Sequence, residues 1–148
     1  MATPIEILAA LSPERLRLLV EAAPRKIREE LFRRAGIKSK SSTYSLRGGD
    51  KTARYGRLKE KLETGGVAST DAPEEVIRSY LGQQSSLLAD ALDHFDVPHR
   101  DGFTDEDLDF MQSLEPRKVK AFWDDLRARG HEDADIELYC RYMNVPLD

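Results

Sequence analysis

The stretch SPERLRLLVEAAPRKIR, residues 12–28, decides the fold class. Ser12 offers a hydroxyl to cap a helix, and Pro13 sits at the first helical position, where its missing N–H is no loss. Leu16, Leu19, Val20 and Ala23 then recur at the spacing of one helical face. Pro24 ends that helix and starts the next, in which Ile27, Leu31 and Ala35 share a face until Gly36. Two short amphipathic helices joined by a proline are the unit of an all-α bundle.

The same stretch occurs twice. Residues 104–120, TDEDLDFMQSLEPRKVK, align with 12–28 without a gap, and Glu14/Glu106, Leu16/Leu108, Pro24/Pro116, Arg25/Arg117 and Lys26/Lys118 are identical. The second helices finish alike, RRAG at 33–36 and RARG at 127–130. A third helix in each half stops on the same tripeptide pattern, Asp96-Val97-Pro98 and Asn144-Val145-Pro146. The expectation is a compact bundle of about seven helices in one domain, residues 1–148. It reads as a duplicated three-helix unit, repeat one being 12–98 and repeat two 104–148. Residues 37–72 are an insert in the first copy.

Working outward, Thr3, Pro4 and Glu6 form a capping box for a helix over 4–11. The insert predicts loops around one short helix at Tyr55, Leu58 and Leu62. TYSLR and KTARY flank Gly48-Gly49-Asp50, which suggests a small β-hairpin over 43–55. From Pro73 to Phe95 the apolar residues keep one register through Gly82, which predicts a single helix over 73–95. Thr104 is placed to cap the next helix, Pro116 starts another that runs to Gly130, and a last helix covers 133–143.

Charge is segregated along the chain. The total is −4, but residues 25–61 hold 13 Lys and Arg against four acids (+9), and residues 71–148 hold eight against 19 (−11). Such a separation speaks to association rather than to fold. The candidate partner- or phosphate-binding residues are Arg25, Lys26, Arg33, Arg34, Lys38, Lys40, Arg47, Lys51, Arg54 and Arg57, interleaved with Phe32, Tyr44 and Tyr55. Arg25-Lys26 and Arg117-Lys118 open helices where the dipole disfavours cations. That calls for nearby carboxylates, Glu14 and Glu106 among them, or for an anionic partner.

Other chemistry finds little footing. Asp90 and His94 lie one helical turn apart, near His99, Asp93, Asp96 and Asp101, but no further pair completes a metal set. With Gly102 at the glycine position of an EF-hand loop, Val97 and Leu108 fall where carboxylates are required. GGDKT lacks the order of a phosphate-binding loop, and no nucleophile stands beside a base. No metal, cofactor or catalytic residue is expected. Trp123 and Phe122 read as core, and Cys140, the single cysteine, as a buried small hydrophobe.

One cysteine permits no internal disulfide, no apolar run reaches the length of a membrane span, and the N-terminus lacks the basic start of a signal peptide. A cytoplasmic protein with no membrane partner is the expectation. The leading functional reading is a non-enzymatic helical interaction module, an adaptor or regulator, binding a protein partner or itself through the basic insert or the acidic face. The second is a DNA-binding regulator, with 24–35 as recognition helix and the hairpin as the wing of a winged helix. The third is an acidic inhibitor or immunity-type protein.

Overall fold

The computed structural model describes residues 3–37 and 50–147, with side chains from residue 53 onward in the second span. Among them the chain is all-α. The helices are α1 (Pro4–Ala9), α2 (Pro13–Ala22), α3 (Arg25–Arg34), α4 (Asp50–Thr64), α5 (Ala72–Gly82), α6 (Ser85–His94), α7 (Pro116–Ala128) and α8 (Asp133–Tyr142), with a 3-10 turn at Asp109–Ser113. They fall into two compact units, Thr3–Tyr80 and Leu81–Asp148. None of the described helices is long and apolar enough to cross a membrane.

In the N-terminal unit the caps form as the sequence requires. The Thr3 hydroxyl accepts from the Glu6 N–H while the Glu6 carboxylate accepts from the Thr3 N–H, and Ser12 caps α2 by accepting from the Arg15 N–H at 3.2 Å. Leu8, Leu16, Leu19, Val20 and Leu31 are fully buried, and α4 lies against α1 and α2 to add Tyr55, Leu58 and Leu62. Each buried leucine is worth about 1.5–3 kcal/mol of transfer free energy. Lys59 on α4 donates its ammonium to the carbonyls of Ala9 and Leu11, groups left without helical partners at the end of α1.

Three expectations change. Residues 51–55, read as the second strand of a hairpin, are the start of α4; the other half of that hairpin lies outside the described residues. KTARYGRLKEKL is rich in helix formers and puts Tyr55, Leu58 and Leu62 on one helical face, so packing on α1 and α2 rewards the helix. The single helix over 73–95 is two. Gly82 ends α5, Gln84 leaves the helical region (φ −97°, ψ 56°), and α6 starts at Ser85. Gly82 has poor helix propensity, Ser85 and Ser86 favour caps and turns, and the break falls beside the boundary between the compact units.

Thr104 does cap, yet no α-helix follows it. Its oxygen accepts from the Glu106 N–H at 3.0 Å, and Asp107 accepts from the Asp109 N–H at 2.8 Å. These short side-chain turns satisfy the backbone donors in place of helix, leaving one 3-10 turn that buries Met111. The aligned segments 12–23 and 104–115 therefore differ in local structure.

The C-terminal unit packs α6, α7 and α8 around Leu87, Leu92, Met111, Phe122, Leu126, Ile136 and Cys140. Phe122 stacks on Phe95 with ring centres 4.9 Å apart, and the His94 ring meets Phe122 edge-on at 5.3 Å. The two Val-Pro stops are one motif. Asp96 (φ 56°) and Asn144 (φ 60°) take the left-handed conformation, and the next residue reaches back to close the helix. Val97 N–H donates to the Leu92 carbonyl at 2.9 Å, and Val145 N–H to Cys140 at 2.8 Å. The RRAG and RARG endings of α3 and α7 close with the same long return bond, from Ile37 to Phe32 and from His131 to Leu126.

Candidate functional site

The basic residues of the N-terminal unit divide by whether they are bonded to an acid one turn away. Arg17 has Glu21 and Arg25 has Glu29, each pair bonded at 2.7 Å; Glu30 accepts from both Arg33 and Arg34. These two arginines hold the Glu30 carboxyl below its ordinary range. Arg25 thus answers the helix dipole through its own helix and not through Glu14, and Arg117 does so through Glu115 at 3.6 Å rather than Glu106. Exposed pairs of this kind contribute little to stability, about 0–1 kcal/mol each, but they do neutralise charge.

Of the remaining candidates, Lys26 and Arg57 are exposed on α3 and α4 with no carboxylate partner among the described residues. Lys38, Lys40 and Arg47 lie outside the described residues, as does the side chain of Lys51. Arg54 is half-buried, its guanidinium carbon 3.8 Å above the centre of the Phe32 ring, and Tyr55 meets the same ring edge-on at 5.5 Å. Its Nε is buried with no hydrogen-bond partner, and so is the Nε of Arg28 on α3.

The acidic unit carries a feature that sequence reasoning missed. Asp101 (φ 52°) and Gly102 (φ 90°) form a two-residue turn in which Arg100 N–H donates to the Phe103 carbonyl at 2.8 Å and Phe103 N–H returns to Arg100 at 3.0 Å. A Cβ on Gly102 would lie 2.5 Å from Leu88 Cβ and 2.9 Å from the Ala89 nitrogen, so the turn is seated on α6. His99 braces it: Nδ1 accepts from the Gly102 N–H at 3.0 Å, leaving Nε2 to donate to Asp93 at 2.7 Å. Thr104 donates its hydroxyl to the Pro98 carbonyl at 2.8 Å.

What this braced turn holds out is Phe103, 59% exposed. Phe110, 40% exposed, follows seven residues later and rests edge-on against Phe95. Between them and beside them Asp101, Asp105, Glu106, Asp107 and Asp109 are all exposed, and no lysine or arginine occurs between Arg100 and Arg117. The signal was present in the sequence as Asp101-Gly102, a strong two-residue turn dipeptide, followed by an aromatic that fits no helical face.

Asp90 and His94, considered as a metal pair, turn to different partners. Asp90 takes Arg129 at 3.2 Å and His131 at 2.7 Å, while His94 Nδ1 lies 2.7 Å from Asp125. His94 and Arg129 hold the Asp125 carboxyl below its ordinary range. This network ties α6 to α7 and to Arg129 and His131 just beyond it. Trp123 is half-buried rather than core. It lines an open groove of about 650 Å³ with Leu114, Val119 and Pro146, and Arg127 sits 5.7 Å from its ring centre. Cys140 is fully buried, which pushes its thiol up to about 12.

Comparison with protein-family models, with curated proteins and with solved structures finds no match to this chain. Function must therefore be read from the chain's own side chains.

Proposed function

We propose that this chain is a non-enzymatic helical interaction module whose acidic segment 101–110 captures a basic polypeptide, with Phe103 as the anchor. One observation carries the reading: a large aromatic side chain left in water on a turn that is fixed by backbone, histidine and threonine hydrogen bonds. Exposed single hydrophobics are common on any surface. An aromatic pre-set in one position is different, because it enters a partner's pocket without the ordering entropy a flexible loop would lose. Five carboxylates around it select partners with the opposite charge and speed their encounter.

The test uses the full chain and a fluorescent Lys/Arg-rich peptide carrying spaced apolar residues, followed by anisotropy at two salt concentrations. Phe103→Ala is expected to weaken binding about 30-fold, the size of an interface hot spot near 2 kcal/mol. Asp105→Asn with Asp107→Asn is expected to slow association and flatten the salt dependence. Binding that responds to the acids and ignores Phe103→Ala refutes the anchored module and favours an acidic inhibitor that acts by charge alone.

A further inference from the structure

We propose that Arg28 and Arg54 form a binding site for a phosphoryl group on the N-terminal unit, a second site independent of the acidic segment. The placement follows from helix geometry. Arg28 and Phe32 are four residues apart on α3 and share a face, and Arg54 from α4 stacks on the Phe32 ring at 3.8 Å. Arg54 thus covers the Phe32 ring, and Arg28 lies one turn before Phe32 on α3. Both also act electrostatically on the Tyr55 hydroxyl, as do Arg17 and Glu21, the latter two already paired with each other.

The unit treats these two arginines unlike its others. Arg17 and Arg25 each pair with a glutamate four residues on, whereas that position is Phe32 for Arg28 and Leu58 for Arg54; Asp50, one turn before Arg54, has its side chain outside the described residues. Neither has a carboxylate partner among the described residues, and both Nε atoms are buried unpaired. A buried donor without an acceptor costs about 1–3 kcal/mol, more on a charged group. The cost is visible at Arg54, whose guanidinium is pushed down from its ordinary value by burial, with the Arg57 charge adding to it. Both side chains are only half-buried, so an arriving oxyanion can meet the guanidinium groups at their terminal nitrogens and bring them a counter-charge that no described carboxylate supplies.

The chemistry favours phosphoryl over carboxylate. Two guanidinium groups present forked N–H donors matched to a tetrahedral dianion. Burial raises the Tyr55 hydroxyl above its ordinary range, so it stays protonated beside them as a neutral donor. Phe32 fixes the Arg54 plane and limits the entropy lost when a ligand is gripped.

The experiment titrates the full chain with inorganic pyrophosphate by calorimetry, and in parallel by the arginine Nε–H NMR signals, at constant ionic strength. The expectation is saturable one-to-one binding, two shifted Nε–H signals, and at least a tenfold loss in both Arg28→Gln and Arg54→Gln. Arg25→Gln, which removes an arginine already satisfied by Glu29, is expected to stay within twofold. No saturation, or an equal loss in Arg25→Gln, overturns the site. The wild-type Nε–H shifts decide the matter even where a variant folds poorly. A duplex DNA arm separates the sources: affinity lost in step with pyrophosphate places the group on a nucleic-acid backbone, and indifference of DNA binding to Arg28→Gln and Arg54→Gln places it on a small ligand. The acidic-segment reading can fail in its own assay without touching this result.

Discussion

Replacing Gly102 with alanine tests whether the Phe103 turn is as firmly seated as its geometry states. Two separate costs apply. Gly102 has φ 90°, a conformation that costs an L-residue about 1–2 kcal/mol. The new Cβ would also stand 2.5 Å from Leu88 Cβ, 2.9 Å from Ala89 N and 3.1 Å from Leu88 C. Two of those three atoms are backbone of α6, so relief requires the loop to lift, and forced repacking of this kind costs about 1–3 kcal/mol. Together Gly102→Ala should destabilise the C-terminal unit by about 2–5 kcal/mol. Gly130→Ala is the control: φ is 95° there, but nothing lies within 4 Å of the added Cβ, so only the conformational cost remains. Trp123, the single tryptophan, belongs to the C-terminal unit and reports its unfolding in urea. With a slope of about 2 kcal/mol per molar, the Gly102→Ala midpoint should drop by about 1–2.5 M. A Gly102→Ala shift equal to that of Gly130→Ala would mean the turn is not pressed on α6. Gly102→Ala should also weaken capture of the basic peptide, since Phe103 loses its mounting.

Gly56→Ala should have the opposite sign. The residue is inside α4 with open space around its Cβ, so alanine should stabilise the N-terminal unit by about 0.5–1 kcal/mol, read by circular dichroism melts, and a loss would show that Gly56 is packed. Acidification should destabilise the chain. Asp125, Asp133 and Glu30 are held below their ordinary values by His94, Arg127 and Arg34 respectively, so their stabilisation is present at neutral pH and drains away as pH falls through the lowered values. Trp123-detected melts should therefore weaken below about pH 4, and Asp125→Asn should shrink the pH effect; an unchanged pH profile in that variant counts against the network. Cys140 should resist an aromatic disulfide reagent at pH 8 until the C-terminal unit unfolds, because it is fully buried with its thiol pushed up to about 12. Fast labelling of the native protein would contradict that burial.

The sequence was most legible where local chemistry and packing agree. Thr3, Ser12, Pro13, Pro116 and the two Val-Pro stops mark helix ends by hydrogen bonds that residues within a turn can make, and each appears where expected. It misled where two local solutions compete. At 73–95 the apolar register ran through Gly82, but register alone does not say whether one element serves two compact units. At 104–115 the same residues that cap a helix, Thr104 and Asp107, also close tight turns, and the acids there gain nothing from a long helix. At 51–55 the glycines suggested a hairpin, while the decisive fact was tertiary: Tyr55, Leu58 and Leu62 had a groove on α1 and α2 to fill. The Phe103 anchor was hidden for the opposite reason, since its signal is a dipeptide and a misfit residue rather than a pattern.

Charge counting shows the same limit in the candidate sites. A sum of +9 over residues 25–61 makes every arginine look like part of one phosphate-binding surface. The ion pairs actually formed tell them apart, because an arginine bonded to a glutamate one turn away carries its counter-ion with it and releases little when a phosphate arrives. On that criterion Arg25, Arg33 and Arg34 leave the candidate set, and Lys59, also counted in the +9, is taken up in closing the end of α1. What remains of that set among the described residues is small and local: Arg54 on the Phe32 ring, with Lys26 and Arg57 exposed on α3 and α4; Arg28, which the sequence reading did not select, joins them with its Nε buried and unpaired. A diffuse basic face and a two-arginine site differ in how they fail. The diffuse face loses affinity by a similar small step for each charge removed, whereas the site loses most of it with Arg28 or Arg54 and almost none with Arg25, Arg33 or Arg34. The pattern of losses across single Gln substitutions, rather than any one affinity, therefore decides between them.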